Sequence, residues 1–499
     1  MSRGIAGEIA DLWSAGTPIL FVVTAEEERA VAACRAAAEA FDAHLAVWSS
    51  QRGLDPIAPA AKDPLAALEA VIKAPAPVMA VLLDFHEALA SPAVARRVRD
   101  LVPRLSAEGR CLVVVAPRLA LPDGLAADAA ILRLPLPDEA ELAALLEAVR
   151  TAAEPGEEPA PEARHRAVVA ARGLSEGQAR RAFARALRQD PALGAVALEA
   201  ILDEKKRLLA RDLGLEIVEA PEGPEDLGGL DTFKAWMDER ALAFDADAAR
   251  FGLPPPRGVL LVGVQGCGKS LAAKAAAARL GVPVLRLDLP RVLGSREGAE
   301  ESLARALEAA EALAPVALWV DEIEKGFAGS APGQGGDARA ARLLGAFSTW
   351  LQERKGPVFV VATANDVSRL PPELLRRGRF DELFFVDLPD AESRREILAL
   401  HLRRRGRDPE RLDVGALADA CADYSGAELE QVVVGALHRA FSLGRELEPG
   451  DLRRVAQDLV PLFKTYEEQI KALREWARGR ARVAGRTGAV VELFRRATP

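Results

Sequence analysis

Gly263-Val264-Gln265-Gly266-Cys267-Gly268-Lys269-Ser270-Leu271 is the stretch on which the reading of this chain turns. It satisfies G-x-x-x-x-G-K-[ST], follows the apolar run Gly258-Val259-Leu260-Leu261-Val262 and opens an Ala-rich helical stretch, the setting that the pattern requires. Glycines let backbone N–H groups converge on a β-phosphate, and the helix N-terminus adds roughly half a positive charge. Lys269 reaches the β and γ oxygens, and Ser270 can ligate Mg²⁺. Gly263 to Leu271 are therefore read as nucleotide-binding, with Lys269 also catalytic. Cys267 lies beside those N–H groups and Lys269, a setting expected to lower a thiol pKa and make it redox-sensitive; the plainer reading is a small residue filling a small slot.

Further along, Val316-Ala317-Leu318-Trp319-Val320 is a buried-strand pattern ending in Asp321-Glu322. Asp321 is expected to hold the metal through its water shell and Glu322 to polarise an attacking water. A third apolar run, Val358 to Ala364, ends in Asn365, which can hydrogen-bond the γ-phosphate or the water. The loop Pro371-Pro372-Glu373-Leu374-Leu375-Arg376-Arg377-Gly378-Arg379-Phe380-Asp381 then offers guanidinium groups. Charge developing on the γ-phosphate needs a cation from the far side, and an arginine supplied by a neighbouring copy is worth ~10³–10⁵ in rate.

The order of these motifs, followed by Tyr424-Ser425-Gly426-Ala427-Glu428-Leu429 on a helical lid, resembles an AAA+ ATPase of the classical AAA clade over roughly Asp226 to Gln457. Over its whole length the chain is similar to the AAA ATPases first noted as a hypothetical chloroplast reading frame and present in plastids, cyanobacteria and other bacteria. The resemblance implies that Leu227 and Gly228 flank the adenine, that His401 lies near adenine or ribose, and that Gly426 and Ala427 contact the nucleotide where other clades carry an arginine. It also implies that Asn365 is the first sensor and that Arg376 and Arg379 point into the neighbouring subunit. Threading members carry an aromatic residue and Gly in a loop after the second strand. Here Asp288 to Glu300, with Leu293-Gly294 and Arg296-Glu297-Gly298, has no aromatic, which argues against threading. Phe327 to Asp337 reads as a second pore loop or an ordinary insertion.

Outward from the core, the N-terminal half repeats βαβ logic: Ile19 to Val23, Val78 to Leu83 and Leu112 to Val115 alternate with helical stretches. Faint echoes link the halves. Ile131 to Glu141 resembles Phe384 to Glu392, Gly173 to Ala179 resembles Asp423 to Leu429, and Val81-Leu82-Leu83-Asp84 resembles Leu318-Trp319-Val320-Asp321. At the P-loop position stands Thr24-Ala25-Glu26-Glu27-Glu28, whose carboxylates suit a helix N-terminus but repel a triphosphate. That half is expected to be free of nucleotide.

The chain has 499 residues, half of them hydrophobic and 28% charged, with net charge −9. This is a packed globular balance, and it argues against nucleic acid as a general partner. No charge-free run approaches the ~18–20 residues of a membrane span, and no export signal is legible. Four dispersed cysteines fit a reducing compartment, hence a cytoplasmic location. The Arg-rich tail from Lys464 to Arg496 reads as a helix packing on acidic neighbours, with RNA, DNA or lipid contact as the other reading.

The expected fold is α/β: a P-loop AAA+ module of parallel sheet plus helical lid, preceded by a degenerate AAA-like α/β domain. Residues 1–150 form the degenerate domain and 151–211 a linker and lid-like segment. The ATPase core is 212–390, its lid 391–460 and a basic helical extension 461–499. The functional expectation is a ring, hexameric, that hydrolyses ATP with Mg²⁺ and remodels or regulates a protein partner. The alternative is a nucleotide-gated scaffold with slow hydrolysis, not a threading unfoldase.

Overall fold

Apolar runs of five to seven residues, too short for core helices and rich in Val, Ile and Leu, form strands buried on both faces. The computed structural model describes residues 4–152, 158–218, 223–244, 246–294, 298–327, 338–354, 356–376 and 378–486. The chain divides into two units, Met1–Lys205 and Lys206–Pro499.

The first unit contains β1 (Ile19–Val23), β2 (His44–Ser49), β3 (Gly53–Asp55), β4 (Val78–Leu83), β5 (Arg110–Ala116) and β6 (Ala129–Arg133), in the order β3-β2-β4-β5-β1-β6. All neighbours are parallel except β3, which runs antiparallel to β2. Alternation along β1 sends Phe21 and Val23 to one core with Trp48, Leu82 and Phe85, and Leu20 and Val22 to the other with Cys34, Met79 and Val113. Helices Glu139–Ala152, Pro161–Ala171, Glu176–Gln189 and Ala195–Leu208 follow.

The second unit contains β7 (Leu215–Val218), β8 (Gly258–Gly263), β9 (Val284–Leu287), β10 (Val316–Val320), β11 (Val358–Ala364), β12 (Glu382–Val386) and β13 (Arg482–Val483), in the order β13-β12-β8-β11-β10-β9-β7. β7 is antiparallel to β9, and the other pairs are parallel. A helical lid of Ala391–Arg404, Val414–Ala420, Gly426–Ser442 and Pro449–Asp458 packs around Leu398, Leu402, Leu429 and Val432.

The two units share one strand plan. Taking only the main parallel strands, β2-β4-β5-β1-β6 has the same order of succession as β9-β10-β11-β8-β12. The likeness extends to helix starts: Ser175 and Ser425 each cap the third helix after the sheet with a reciprocal capping box, through Gln178 and Glu428. Two residues ahead of each cap stand Gly173 and Asp423, both left-handed. One echo shifts by a position. The left-handed residue after the third strand is Asp84 (φ 53°) in one unit and Glu322 (φ 48°) in the other, so backbone conformation matches Asp84 with Glu322 and not with Asp321. The first unit thus repeats the strand plan of the second without the phosphate-binding sequence.

The tail is helical over Leu462–Thr465 and Glu467–Ala477, in keeping with the expectation, and departs from it only beyond them. Helix Glu467–Ala477 ends at Arg478, whose ψ of 120° leaves the helical path, Gly479 follows with φ +73°, and the chain then joins the sheet as β13. Residues 328–337, within the stretch read as a second pore loop, and Arg296 and Glu297 lie outside the described residues, as do 487–499.

Candidate functional site

β8 delivers the phosphate-loop sequence at its C-terminal end, and helix Lys269–Leu280 starts immediately after it. Gly268 has φ +90°, a conformation that only glycine adopts without strain, and it turns the backbone into the helix. Lys269 is buried and its ammonium donates to the carbonyls of Gly263 at 2.9 Å and Val264 at 2.8 Å. Burial pulls its pKa down to about 8 against the attraction of nearby acidic groups.

A cavity of about 300 Å³ gathers Gln265, Gly266, Gly268, Lys269, Ser270 and Leu271 from this loop with Asp321, Glu322, Thr363 and Asn365 from the ends of β10 and β11. Ser270 Oγ lies 3.4 Å from Asp321 Oδ1. Thr363 Oγ1 donates to that same Oδ1 at 2.5 Å and accepts from the backbone N–H of Glu322 at 3.0 Å, pinning the left-handed turn. Asn365 Nδ2 donates to Glu322 Oε1 at 3.0 Å, and Lys325 Nζ donates to Glu322 Oε2 at 2.5 Å. Below them Glu324 is buried, accepts the Asn365 N–H at 3.0 Å and has its second oxygen without a hydrogen-bond partner among the described residues. Burial holds its carboxyl above the usual carboxylate range.

The donor set fits Mg²⁺. A serine hydroxyl and an aspartate face one another with no imidazole between them, and a small hard cation completes its shell with phosphate oxygens and water. Among the described residues no group of three or more His, Cys, Asp and Glu could hold a metal by itself.

A second cavity of about 190 Å³ is lined by Cys267, which stands between Gly266 and Gly268 of the first, together with Gly228, Gly229, Asp387, Ile397 and Gly426. The phosphate-loop cavity lies at the lower end of the ~300–1,000 Å³ range of a small-molecule site. Gly228 is required by proximity: a Cβ there would stand 2.6 Å from Ile397 Cγ1 and 3.1 Å from its backbone nitrogen. Leu227 is buried beside Gly268, and Ala427 donates its N–H to Gly266 O at 3.0 Å, joining lid to loop.

His401 lies outside both cavities, and so do Arg376 and Arg379, the two expected to serve a neighbouring subunit. The His401 ring sits 3.6 Å from Glu430 beside Arg405, and Ile397, one turn earlier on the same helix, faces the cavity instead. Arg376 is exposed. Arg379 is 8% exposed, with Nε and Nη1 lacking a hydrogen-bond partner among the described residues. Cys267 corrects the sequence expectation: it is buried, and burial drives its thiol up to about 12 against the pull of Lys269. All four cysteines are free and buried.

Thr363, Glu324, Lys325 and Ile397 escaped the sequence reading. Thr363 carries a faint signal as a lone hydroxyl in the apolar run Val358–Ala364. Ile397 carries none, since an isoleucine on an amphipathic helix reads as core.

In the first unit the corresponding place is taken by a side chain. The Glu26 carboxylate accepts the backbone N–H of Glu176, at the start of helix Glu176–Gln189, at 2.5 Å, and lies 3.5 Å from Arg29. Arg29 in turn pairs with Glu141 at 2.7 Å.

Among the described residues no helix is long and apolar enough to cross a membrane. Comparison with known proteins matches residues 259–388 to the ATPase family associated with various cellular activities (AAA). Residues 5–134 and 140–212 match the N-terminal and second domains of SpoVK-like AAA ATPases. The chain is 36% identical over 483 residues to the uncharacterized AAA domain-containing protein ycf46 of Guillardia theta, covering 95% of each chain. With the ycf46 protein of Pyropia yezoensis it shares 36% over 433 residues, 86% of this chain and 87% of the relative. The proteasome-activating nucleotidase of Thermococcus gammatolerans is 34% identical over 232 residues, 45% of this chain and 58% of the relative. A likeness that runs nearly end to end through both units, and not through the ATPase module alone, places this chain in the AAA ATPase family alongside the ycf46 proteins.

Proposed function

We propose that the second unit binds ATP with Mg²⁺ and hydrolyses it between adjoining copies in a hexameric ring, and that the motion remodels or regulates a protein partner. The observation that carries this reading is the convergence of Lys269, Ser270, Asp321, Glu322 and Asn365 on one cavity. Mg²⁺, when bound, offsets charge on the β and γ oxygens. Ser270 and Asp321 would hold it, and Lys269 would turn from the Gly263 and Val264 carbonyls to the phosphates. Glu322 accepts a proton from the attacking water, while Asn365 fixes the carboxylate at 3.0 Å. Arg376 and Arg379 would complete the site of the next copy. The unsatisfied Nε and Nη1 of Arg379 support that assignment, because a buried guanidinium without acceptors is costly.

A protein partner is supported by the relative named proteasome-activating nucleotidase, whose name couples a nucleotidase to a protein assembly. The second reading, a nucleotide-gated scaffold that turns over slowly, draws on Lys325, whose ammonium occupies the Glu322 oxygen that a water would need. The test compares wild type with Glu322→Gln. Turnover should fall ~10²–10⁴-fold with ATP binding kept, and the variant, locked with ATP, should retain the partner in a pull-down. A wild-type chain that binds no ATP, or a variant with unchanged turnover, overturns the proposal.

A further inference from the structure

The last described residues do more than lengthen the sheet. β13 pairs with β12 in the register Phe384↔Arg482 and Phe385↔Val483, and Ala484 donates its N–H to Phe385 O at 2.9 Å. Phe233 N–H donates back to Ala484 O at 3.0 Å, and Thr232 Oγ1 to Gly485 O at 2.6 Å. The segment is thereby threaded between the sheet edge and helix Asp231–Ala241, which follows the Gly228-Gly229-Leu230 turn.

Its side chains reach the smaller cavity. Arg474, on helix Glu467–Ala477, holds Asp387 with Nε at 2.8 and 3.0 Å, and both side chains are largely buried. Asp387 directly follows Val386, whose carbonyl accepts the N–H of Val264 in the phosphate loop at 2.9 Å. Arg486 spans two parts of the unit: 2.8 Å to Asp231 on the core, 3.5 Å to Glu396 on the lid helix, and a contact with Glu392. Glu396 also accepts the N–H of Gly229 at 2.8 Å. Arg474, Val483, Gly485 and Arg486 thus form one wall of the cavity whose other walls include Gly228, Cys267 and Ile397.

We propose that residues 467–486 are a clasp on the base end of the nucleotide site, which completes the pocket for the adenine and ribose and is itself secured when they bind. The inference rests on the nucleotide-binding reading of the second unit. Because a segment that walls a pocket shares its free energy with the ligand, the effect is reciprocal. Losing the clasp weakens nucleotide binding, and nucleotide tightens the clasp. The phosphates, held at the other cavity, are indifferent to it.

The test uses the full chain and a fluorescent ADP analogue, with unlabelled ADP and inorganic tripolyphosphate as competitors. In the Arg474→Ala/Arg486→Ala double variant the Kd for ADP should rise about tenfold, within the ~5–150-fold usual for coupled sites, while tripolyphosphate competes equally in both proteins. In the unaltered chain, ADP should slow amide hydrogen exchange over residues 470–486 about tenfold, a readout that does not depend on any variant folding. Equal ADP affinity in both proteins, a parallel loss of tripolyphosphate binding, or exchange unmoved by ADP overturns the clasp. A wild-type chain that binds tripolyphosphate and ADP but shows none of these effects leaves the nucleotide site standing and removes only the clasp; one that binds neither removes both.

Discussion

At Lys269 burial and function pull in opposite directions. An ammonium that must meet phosphate sits where desolvation lowers its pKa to about 8. ATP binds the charged form, so affinity should be level below pH about 8 and fall above it by up to about tenfold per pH unit, as one linked proton requires; titration with a fluorescent ATP analogue between pH 7 and 9.5 reads this. For folding the sign is opposite. The unfolded chain binds this proton more tightly, so between about 8 and the ordinary lysine value of 10.5 stability gains as pH rises. Thr363 holds Asp321 and the turn at Glu322 together. Thr363→Val should cost ~10–100-fold in apparent Mg²⁺ affinity, measured as the Mg²⁺ dependence of ATP turnover. Lys325→Ala, which frees Glu322, should raise basal turnover by no more than about fivefold, since an exposed ion pair is weak.

Whole elements repeat between the units more faithfully than residues do. Strand order, the left-handed residue after the third strand and the capped third helix are kept, while the phosphate-loop glycines have no counterpart around Glu26. Where the second unit joins lid to loop by Ala427 N–H to Gly266 O, the first uses Glu26 to the N–H of Glu176. Glu26→Ala would leave that N–H without its acceptor, at a cost of ~1–3 kcal/mol. Hydrogen exchange at the first turn of helix Glu176–Gln189 should quicken correspondingly, while helix Gly426–Ser442 serves as the unaffected control. The strand plan was legible in outline because short apolar runs, three of them plain in each half, alternate with helical stretches. The tail was not: Arg482 and Val483 form a strand only because β12 offers an unpaired edge there, and edge pairing is a long-range event that local composition does not encode.

For the whole molecule, the proposed ring makes one quantitative demand. Glu322→Gln chains keep their arginines, and Arg376→Ala chains keep their glutamate. If the arginine acts in the neighbour's site, an equal mixture of the two inactive variants should regain about a quarter of wild-type turnover, because random head-to-tail pairing restores that fraction of sites. A mixture as inactive as its components would show that Arg376 does not act across copies.

The sequence by itself determined the phosphate loop, the acidic pair and the Asn-terminated strand, because each is a contiguous motif placed at a strand end by its own local pattern. It also determined that the first half has no Gly-Lys pair at the phosphate-loop position, where Thr24-Ala25-Glu26-Glu27-Glu28 stands. Only the tertiary structure decided that Ile397 rather than His401 faces the cavity, that Thr363 and Glu324 brace the acidic turn, and that Cys267 is held as a thiol. Those outcomes depend on helix rotation, burial and contacts between segments far apart in the chain, none of which a stretch of residues specifies alone.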